Sequence, residues 1–86
     1  MSEKTSIKVG KYTLKLGSRV KMTKMSEGNP WKECMGDIFV IIKIDGLMRI
    51  ENQNSKRPSN FHYGNVDSGN LLDYFTPMTQ QYEFDF

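Results

Sequence analysis

The chain contains few of the residues on which several protein classes depend. Its 86 residues include no alanine, one cysteine (Cys34) and one histidine (His62). Alanine is the best helix former, so its absence argues against a helix bundle. A single cysteine excludes an intramolecular disulfide framework, and one cysteine with one histidine supplies too few ligands for a His/Cys zinc site. We therefore expect no metal and no cofactor.

The sequence also lacks the segments that target a protein to a membrane. No apolar run approaches the roughly 20 residues that cross a bilayer, and the first residues do not have the pattern of a signal peptide. A chain of 86 residues has room for one domain with one modest core. We expect a soluble, cytoplasmic protein.

Charge and aromatic residues are distributed unevenly along the chain. Residues 1–24 hold seven basic residues and one acid, whereas residues 59–86 hold four acids and no lysine or arginine. Seven of the ten aromatic residues lie between Phe61 and Phe86. The basic and acidic segments could contact each other within one fold or between copies of the chain, or they could contact a partner.

Alternation of apolar and polar residues predicts strands over 12–16 and 19–24. The residues predicted to face inward are Tyr12, Leu14, Leu16, Val20 and Met22. The pattern stops over residues 25–36, where Gly28-Asn29-Pro30 is a strong turn signal, and this predicts a long loop.

Residues 37–44 are rich in β-branched side chains and predict the strongest strand, followed by a hairpin at Asp45-Gly46. A two-residue loop would place apolar side chains opposite charged ones. A longer loop or a bulge instead pairs Ile44 with Met48 and Ile42 with Ile50, so we predict an irregular turn with this register.

The second half of the chain predicts shorter elements. Residues 52–60 are wholly polar and indicate an exposed, mobile loop. Residues 61–66 predict a fifth strand, and residues 67–73 a short 3₁₀ or helical turn. Residues 75–78 predict a last strand, which Pro77 restricts to a sheet edge.

These short strands predict an all-β fold that closes into a small barrel. The runs Leu16-Gly17-Ser18-Arg19-Val20-Lys21-Met22, Met35-Gly36-Asp37-Ile38 and Ile44-Asp45-Gly46 resemble the small SH3-like barrels, including KOW-type modules. The expected architecture is a small SH3-like barrel of about five strands, with a long loop after the first strands and one short 3₁₀ or helical turn near the C-terminus. Such barrels bind other molecules far more often than they catalyse, so the resemblance implies binding.

We predict three parts within this chain. Residues 1–10 form a flexible N-terminal arm, residues 11–78 the barrel, and residues 79–86 an acidic, aromatic C-terminal tail.

Catalytic groups are scarce. Cys34 follows Glu33, and an acidic neighbour raises the pKa of a thiol. A Cys34–His62 dyad is one interpretation; a filler thiol with a surface histidine is the interpretation we favour. The chain has no glycine-rich phosphate loop and no Gly-x-Ser-x-Gly elbow, so we predict that it is not an enzyme.

Basic residues follow the solvent side of the first strands. They are Lys8, Lys11, Lys15, Arg19 and Lys21. Gathered into one patch, they would bind phosphates with release of counterions, which gives weak, non-specific affinity for nucleic acid. The alternative is a solvated face whose lysines discourage edge pairing.

The C-terminal segment alternates aromatic and acidic residues. In an extended chain, Tyr82, Phe84 and Phe86 share one side. This pattern fits a last barrel strand or a docking peptide. It resembles sliding-clamp-binding tails, which implies that Gln81 is a polar anchor and that Phe84 and Phe86 fill an apolar pocket.

A non-enzymatic binding protein agrees best with these observations. We expect a protein partner, in the manner of small phage-encoded inhibitors and adaptors. The predicted protein-binding residues are Trp31, Gln81, Tyr82, Phe84 and Phe86. The alternatives are a nucleic-acid-binding barrel that uses the basic residues, and self-assembly in which the tail of one copy lies on the basic face of another.

Overall fold

The computed structural model describes residues 5–78. Within this range the strands are β1 (Ser6–Val9), β2 (Tyr12–Lys15), β3 (Arg19–Met22), β4 (Ile38–Asp45), β5 (Leu47–Asn52), β6 (Tyr63–Asp67) and β7 (Phe75–Pro77). One short helix, α1 (Leu71–Tyr74), precedes β7, and 3₁₀ turns cover Pro30–Cys34 and Ser59–Phe61. The predicted all-β class is confirmed.

Five strands form one antiparallel sheet in the order β6-β5-β4-β3-β7, and β1 pairs with β2 as a separate ribbon. The sheet curls into a half-barrel, in agreement with a small all-β barrel. Its edge strands are β6 and β7. The short C-terminal helical turn and the edge position of Pro77 are confirmed.

The described residues form seven strands, whereas the sequence predicted about five. Strand β1 accounts for part of this difference. The sequence analysis assigned residues 1–10 to a flexible arm, but Ser6–Val9 is paired with β2. Pairing sets Ile7 opposite Leu14 and Val9 opposite Tyr12, so one side of the ribbon is apolar. Burial of that side against the core orders the segment.

The core consists of alternate residues on neighbouring strands. Val20 and Met22 face inward as predicted and pack with Phe39, all three almost inaccessible to solvent. Each such side chain contributes about 1.5–3 kcal/mol of burial free energy. The inward prediction for Leu16 is wrong, because the chain turns at Gly17 (φ 91°) and leaves Leu16 39% exposed.

The β4–β5 hairpin has one of the two predicted pairs. Ile44 lies opposite Met48 as expected, but Ile42 does not lie opposite Ile50. An irregularity at Ile42 sets Ile41 against Ile50 instead. Ile41 is therefore buried while Ile42 is 38% exposed, because the extra residue exchanges the two faces of the strand.

Candidate functional site at the open edge of the sheet

A cleft of about 200 Å³ opens between the two edge strands of the sheet. Gly64 and Val66 of β6 line one side, and Phe75 of β7 lines the other. Met25 and Trp31, from the segment between β3 and β4, complete the apolar lining. We call this space the seam cleft. Its volume is below the roughly 300–1,000 Å³ of small-molecule pockets and suits one large side chain better than a cofactor.

Trp31 is fixed in place at the border of the seam cleft. Its backbone N–H donates to Asn29 Oδ1 at 2.9 Å, which caps the 3₁₀ turn Pro30–Cys34 inside the predicted long loop. The indole lies edge-on to Phe61, with ring centroids 5.0 Å apart. Trp31 packs on the core, and its role in binding stays a prediction.

Gly64 gives Trp31 the space to lie over β6. A Cβ atom at Gly64 would stand 3.3 Å from Cη2 of Trp31. A side chain here would require the indole to move by a few tenths of an ångström. Glycine at this position therefore favours the close packing of Trp31 on β6.

The outer edge of β6 presents unpaired backbone groups. Asn52 N–H donates to the His62 carbonyl at 2.7 Å, which fixes the alternation of the β5–β6 ladder. Gly64 and Val66 therefore bond to β5, while Tyr63 and Asn65 direct their N–H and C=O groups away from it. Within residues 5–78 no hydrogen bond satisfies those outward groups.

The opposite edge of the sheet is protected. Met78 N–H donates to the Arg19 carbonyl at 2.9 Å, so the neighbouring Pro77 points its nitrogen away from β3. Proline has no N–H, and edge strands use it to resist further pairing. One edge of the half-barrel is thus blocked by proline, and the other, beside an apolar cleft, is paired with no strand of residues 5–78.

A polar cluster centred on Asp37 lies at the start of β4. Arg57 donates to this carboxylate from Nε (2.7 Å) and Nη2 (3.2 Å). The side-chain amides of Asn52 and Asn54 each donate to it at 3.1 Å. Burial opposes ionisation of Asp37, but these hydrogen bonds outweigh it and hold its pKa below the ordinary value.

This cluster attaches residues 52–60 to the body of the protein. The sequence predicted an exposed, mobile loop there, yet Asn52 is buried, and Asn54 and Arg57 are half-buried. The Asn52 and Asn54 side-chain oxygens also accept backbone N–H groups two residues further on, as in Asx turns. The loop is therefore pinned to β4 by Asp37.

Cys34 and His62 do not form the dyad that the sequence raised as one interpretation. Cys34 is buried and accepts a hydrogen bond from Asn52 Nδ2 at 3.6 Å. Burial, followed by the charge of Asp37, raises the pKa of the Cys34 thiol. His62 Nε2 is buried without a hydrogen-bond partner in the described part of the chain. Cys34 is thus a protonated core thiol.

The predicted basic residues are all exposed but belong to two surfaces. Lys8 and Lys15 lie on the outer side of the β1–β2 ribbon, and Arg19 and Lys21 on the outer side of β3. Lys11 lies in the turn, 5.7 Å from the Tyr12 ring centroid. None of the five takes part in an ion pair within residues 5–78.

On the convex side of the five-stranded sheet, residues that the sequence did not single out lie beside the predicted basic residue Arg19. Cross-strand pairing places Tyr63, Glu51, Val40 and Arg19 in one row. Arg49 lies over the Tyr63 ring, 5.2 Å from its centroid. The strand order is what shows that Tyr63 shares a face with Arg19.

The remaining predicted binding residues lie outside the described part of the chain: Gln81, Tyr82, Phe84 and Phe86. Over residues 5–78, no helix is long and apolar enough to span a bilayer. The same residues contain no group of three or more His, Cys, Asp or Glu side chains placed to hold a metal ion.

Comparison with known proteins adds no relative to this description. No family model, no curated protein and no solved structure matches the chain.

Proposed function

We propose that the protein is a non-enzymatic binding module, of the adaptor or inhibitor type, that takes an extended segment of a partner protein along β6. The observation that carries this proposal is the position of the open β6 edge beside the seam cleft. Backbone hydrogen bonds to the edge supply affinity, and the cleft selects a side chain.

The backbone part of the site follows from the ladder. Tyr63 and Asn65 offer two N–H donors and two C=O acceptors in the spacing of a strand edge. Water satisfies these groups singly, whereas another extended chain pairs with the whole row, which is why proteins protect edges that have no partner. Here the chain protects β7 with Pro77 and leaves β6 without a proline.

The cleft supplies the selective part. In a strand added to β6, alternate side chains point to the same side of the sheet as Gly64 and Val66, and so towards the seam cleft. Trp31 and Phe75 offer aromatic walls, and Met22 and Met25 are flexible thioethers that adapt to the shape of a guest. An aromatic or long aliphatic side chain from the partner suits this lining.

The test separates backbone pairing from side-chain contact at a single position. Asn65→Pro removes the outward N–H, and Gly64 before it tolerates the restriction that proline places on its neighbour. Asn65→Thr changes the side chain but keeps the N–H. The full chain and both variants are immobilised, exposed to lysate, and the captured proteins identified by mass spectrometry. A captured protein is then purified and its affinity for each variant measured by calorimetry.

We expect the purified partner to bind the unmodified chain and the threonine variant equally, and the proline variant at least about tenfold more weakly. Trp31, the only tryptophan of the chain, should shift its emission to shorter wavelength as the partner removes water from the cleft. Equal affinity for all three proteins, or unchanged Trp31 emission on binding, would refute the proposal. Far-UV circular dichroism confirms that the proline variant is folded.

A further inference from the structure

We infer that the outer face of the sheet, defined by Arg19, Lys21, Arg49, Glu51 and Tyr63, binds single-stranded nucleic acid. This surface lies on the convex side of the sheet, whereas the seam cleft opens on the concave side. Tyr63 contributes its backbone to the proposed peptide site and its side chain to this surface, so the two proposals use different groups of one residue.

The outer face combines cations with an exposed aromatic ring. Tyr63 is 49% exposed, although tyrosine is large and apolar over most of its surface. Arg49 lies over this ring, and Arg19 occupies the same cross-strand row three strands away. Neighbouring strands are about 4.8 Å apart, so Tyr63 and Arg19 are separated by roughly 14 Å, the length of a short run of nucleotides.

The floor between these groups is half-buried and apolar. Val40 lies between Glu51 and Arg19, and Ile38 lies opposite Lys21. Neither aliphatic side chain is fully covered by the described residues. The aromatic ring and the aliphatic side chains offer bases a surface on which to stack. The cations at the other side of the sheet attract the phosphates.

This arrangement favours a single strand over a duplex. In a duplex the bases stack on one another, so Tyr63 would find no free base to contact, whereas unpaired bases stack on aromatic side chains. The three cations of the face neutralise about three phosphates. For single strands this corresponds to a slope of log K against log salt of about −2.

Three acids lie on this side of the sheet, Glu51 beside Tyr63 and the pair Asp45 and Asp67 opposite Leu47 at the other end of β5. Glu51 accepts a hydrogen bond from the Tyr63 hydroxyl at 3.3 Å and thereby orients the ring. Its charge also repels phosphate. Glu51→Gln keeps an acceptor and removes the charge, so this variant should bind the nucleic acid more tightly than the unmodified chain.

The experiment uses the full chain and a fluorescein-labelled oligothymidylate of about 15 nucleotides, followed by anisotropy at several salt concentrations near and above about 50 mM. We expect Tyr63→Ser to weaken binding by about tenfold and Tyr63→Phe to have little effect, because stacking needs the ring and not the hydroxyl. Changing Arg19 and Lys21 together to Ser should reduce the salt slope from about −2 to about −0.7. A control variant, Lys24→Ser with Lys56→Ser, removes the same charge elsewhere and should leave the slope unchanged.

Several results would overturn the inference. Binding to a duplex of equal length as tight as to the single strand would show attraction by net charge alone. An unchanged affinity for Tyr63→Ser, or equal effects of the two double variants, would lead to the same conclusion. If the oligonucleotide is not bound while Tyr63→Ser loses a captured protein partner, the face is a protein interface.

Discussion

Replacement of Asp37 by asparagine tests whether one carboxylate holds residues 52–60 on the sheet. In the native protein two oxygens of Asp37 accept four N–H donors, two from Arg57 and one each from Asn52 and Asn54. Asp37→Asn replaces one of these oxygens by an NH₂ group, which faces donors. Each oxygen accepts two of the four donors, so two hydrogen bonds are lost whichever oxygen is replaced, and a buried donor is left without an acceptor.

The expected cost is about 3 kcal/mol or more, since each of the two lost hydrogen bonds to a charged group contributes about 1.5–3 kcal/mol and an unsatisfied buried donor adds to the loss. A domain of this length has a total stability of roughly 4–13 kcal/mol. A loss of this size lowers the melting temperature by roughly 10–20 °C. The measurement is thermal unfolding at neutral pH followed by circular dichroism.

The loss of stability in Asp37→Asn should also depend on pH. The pKa of Asp37 is lowered in the folded protein. The ionised carboxylate therefore contributes its full share of the folding stability above the ordinary aspartate pKa of about 3.9. This share is lost as the pH falls through the lower pKa of the folded state. The difference in melting temperature between the unmodified chain and Asp37→Asn should therefore narrow below about pH 4. Asp45→Asn is the matched control, because Asp45 is exposed and makes only a long ion pair with Lys43 at 3.8 Å. Equal melting temperatures for the Asp37 variant and the unmodified chain, or a difference that does not narrow in acid, would refute the reasoning.

Two further predictions concern the turn after β1 and the cap of the tryptophan turn. Gly10→Ala should destabilise the protein by about 1–2 kcal/mol in urea unfolding, because φ is +61° and the new Cβ would lie 2.7 Å from Leu72 Cδ1. Gly46→Ala should have the smaller effect, since its φ is +78° but no heavy atom lies within 4 Å; equal losses would show that the contact with Leu72 has no energetic importance. Asn29→Ala should cost about 1 kcal/mol and shift Trp31 emission to longer wavelength, because the cap that holds the indole at the cleft is lost; an unchanged spectrum would contradict this role.

The sequence predicted much of the strand content because local alternation decides it. Val20 and Met22 face inward, and Ile44 pairs with Met48, for reasons visible in the residues themselves. The errors occur where one residue breaks the alternation. Leu16 precedes a glycine in the left-handed region, and Ile42 is the extra residue of an irregular ladder. Neither the conformation of the glycine nor the extra residue changes the pattern of apolar and polar residues.

The candidate sites were less predictable. Trp31 was singled out as the only tryptophan of the chain, but its cleft is shared with Gly64, which is 33 positions further on. Asn65 and Tyr63 were not proposed for any role, since nothing in β6 itself indicates that it forms a sheet edge. The attachment of Arg57 to Asp37 was also missed, because the polar composition of residues 52–60 indicates an exposed loop equally well with or without that contact.

Composition and alternation by themselves determined that this chain is a small β protein with few catalytic groups and a proline-blocked edge. Periodicity acts over a few residues, so these conclusions need no knowledge of distant neighbours. The strand order, which only the tertiary structure reveals, decided that β6 is an edge strand of the described sheet beside Trp31 and that Tyr63 shares a face with Arg19. Both arrangements join residues that are far apart along the chain, and long-range pairing depends on how the whole sheet closes.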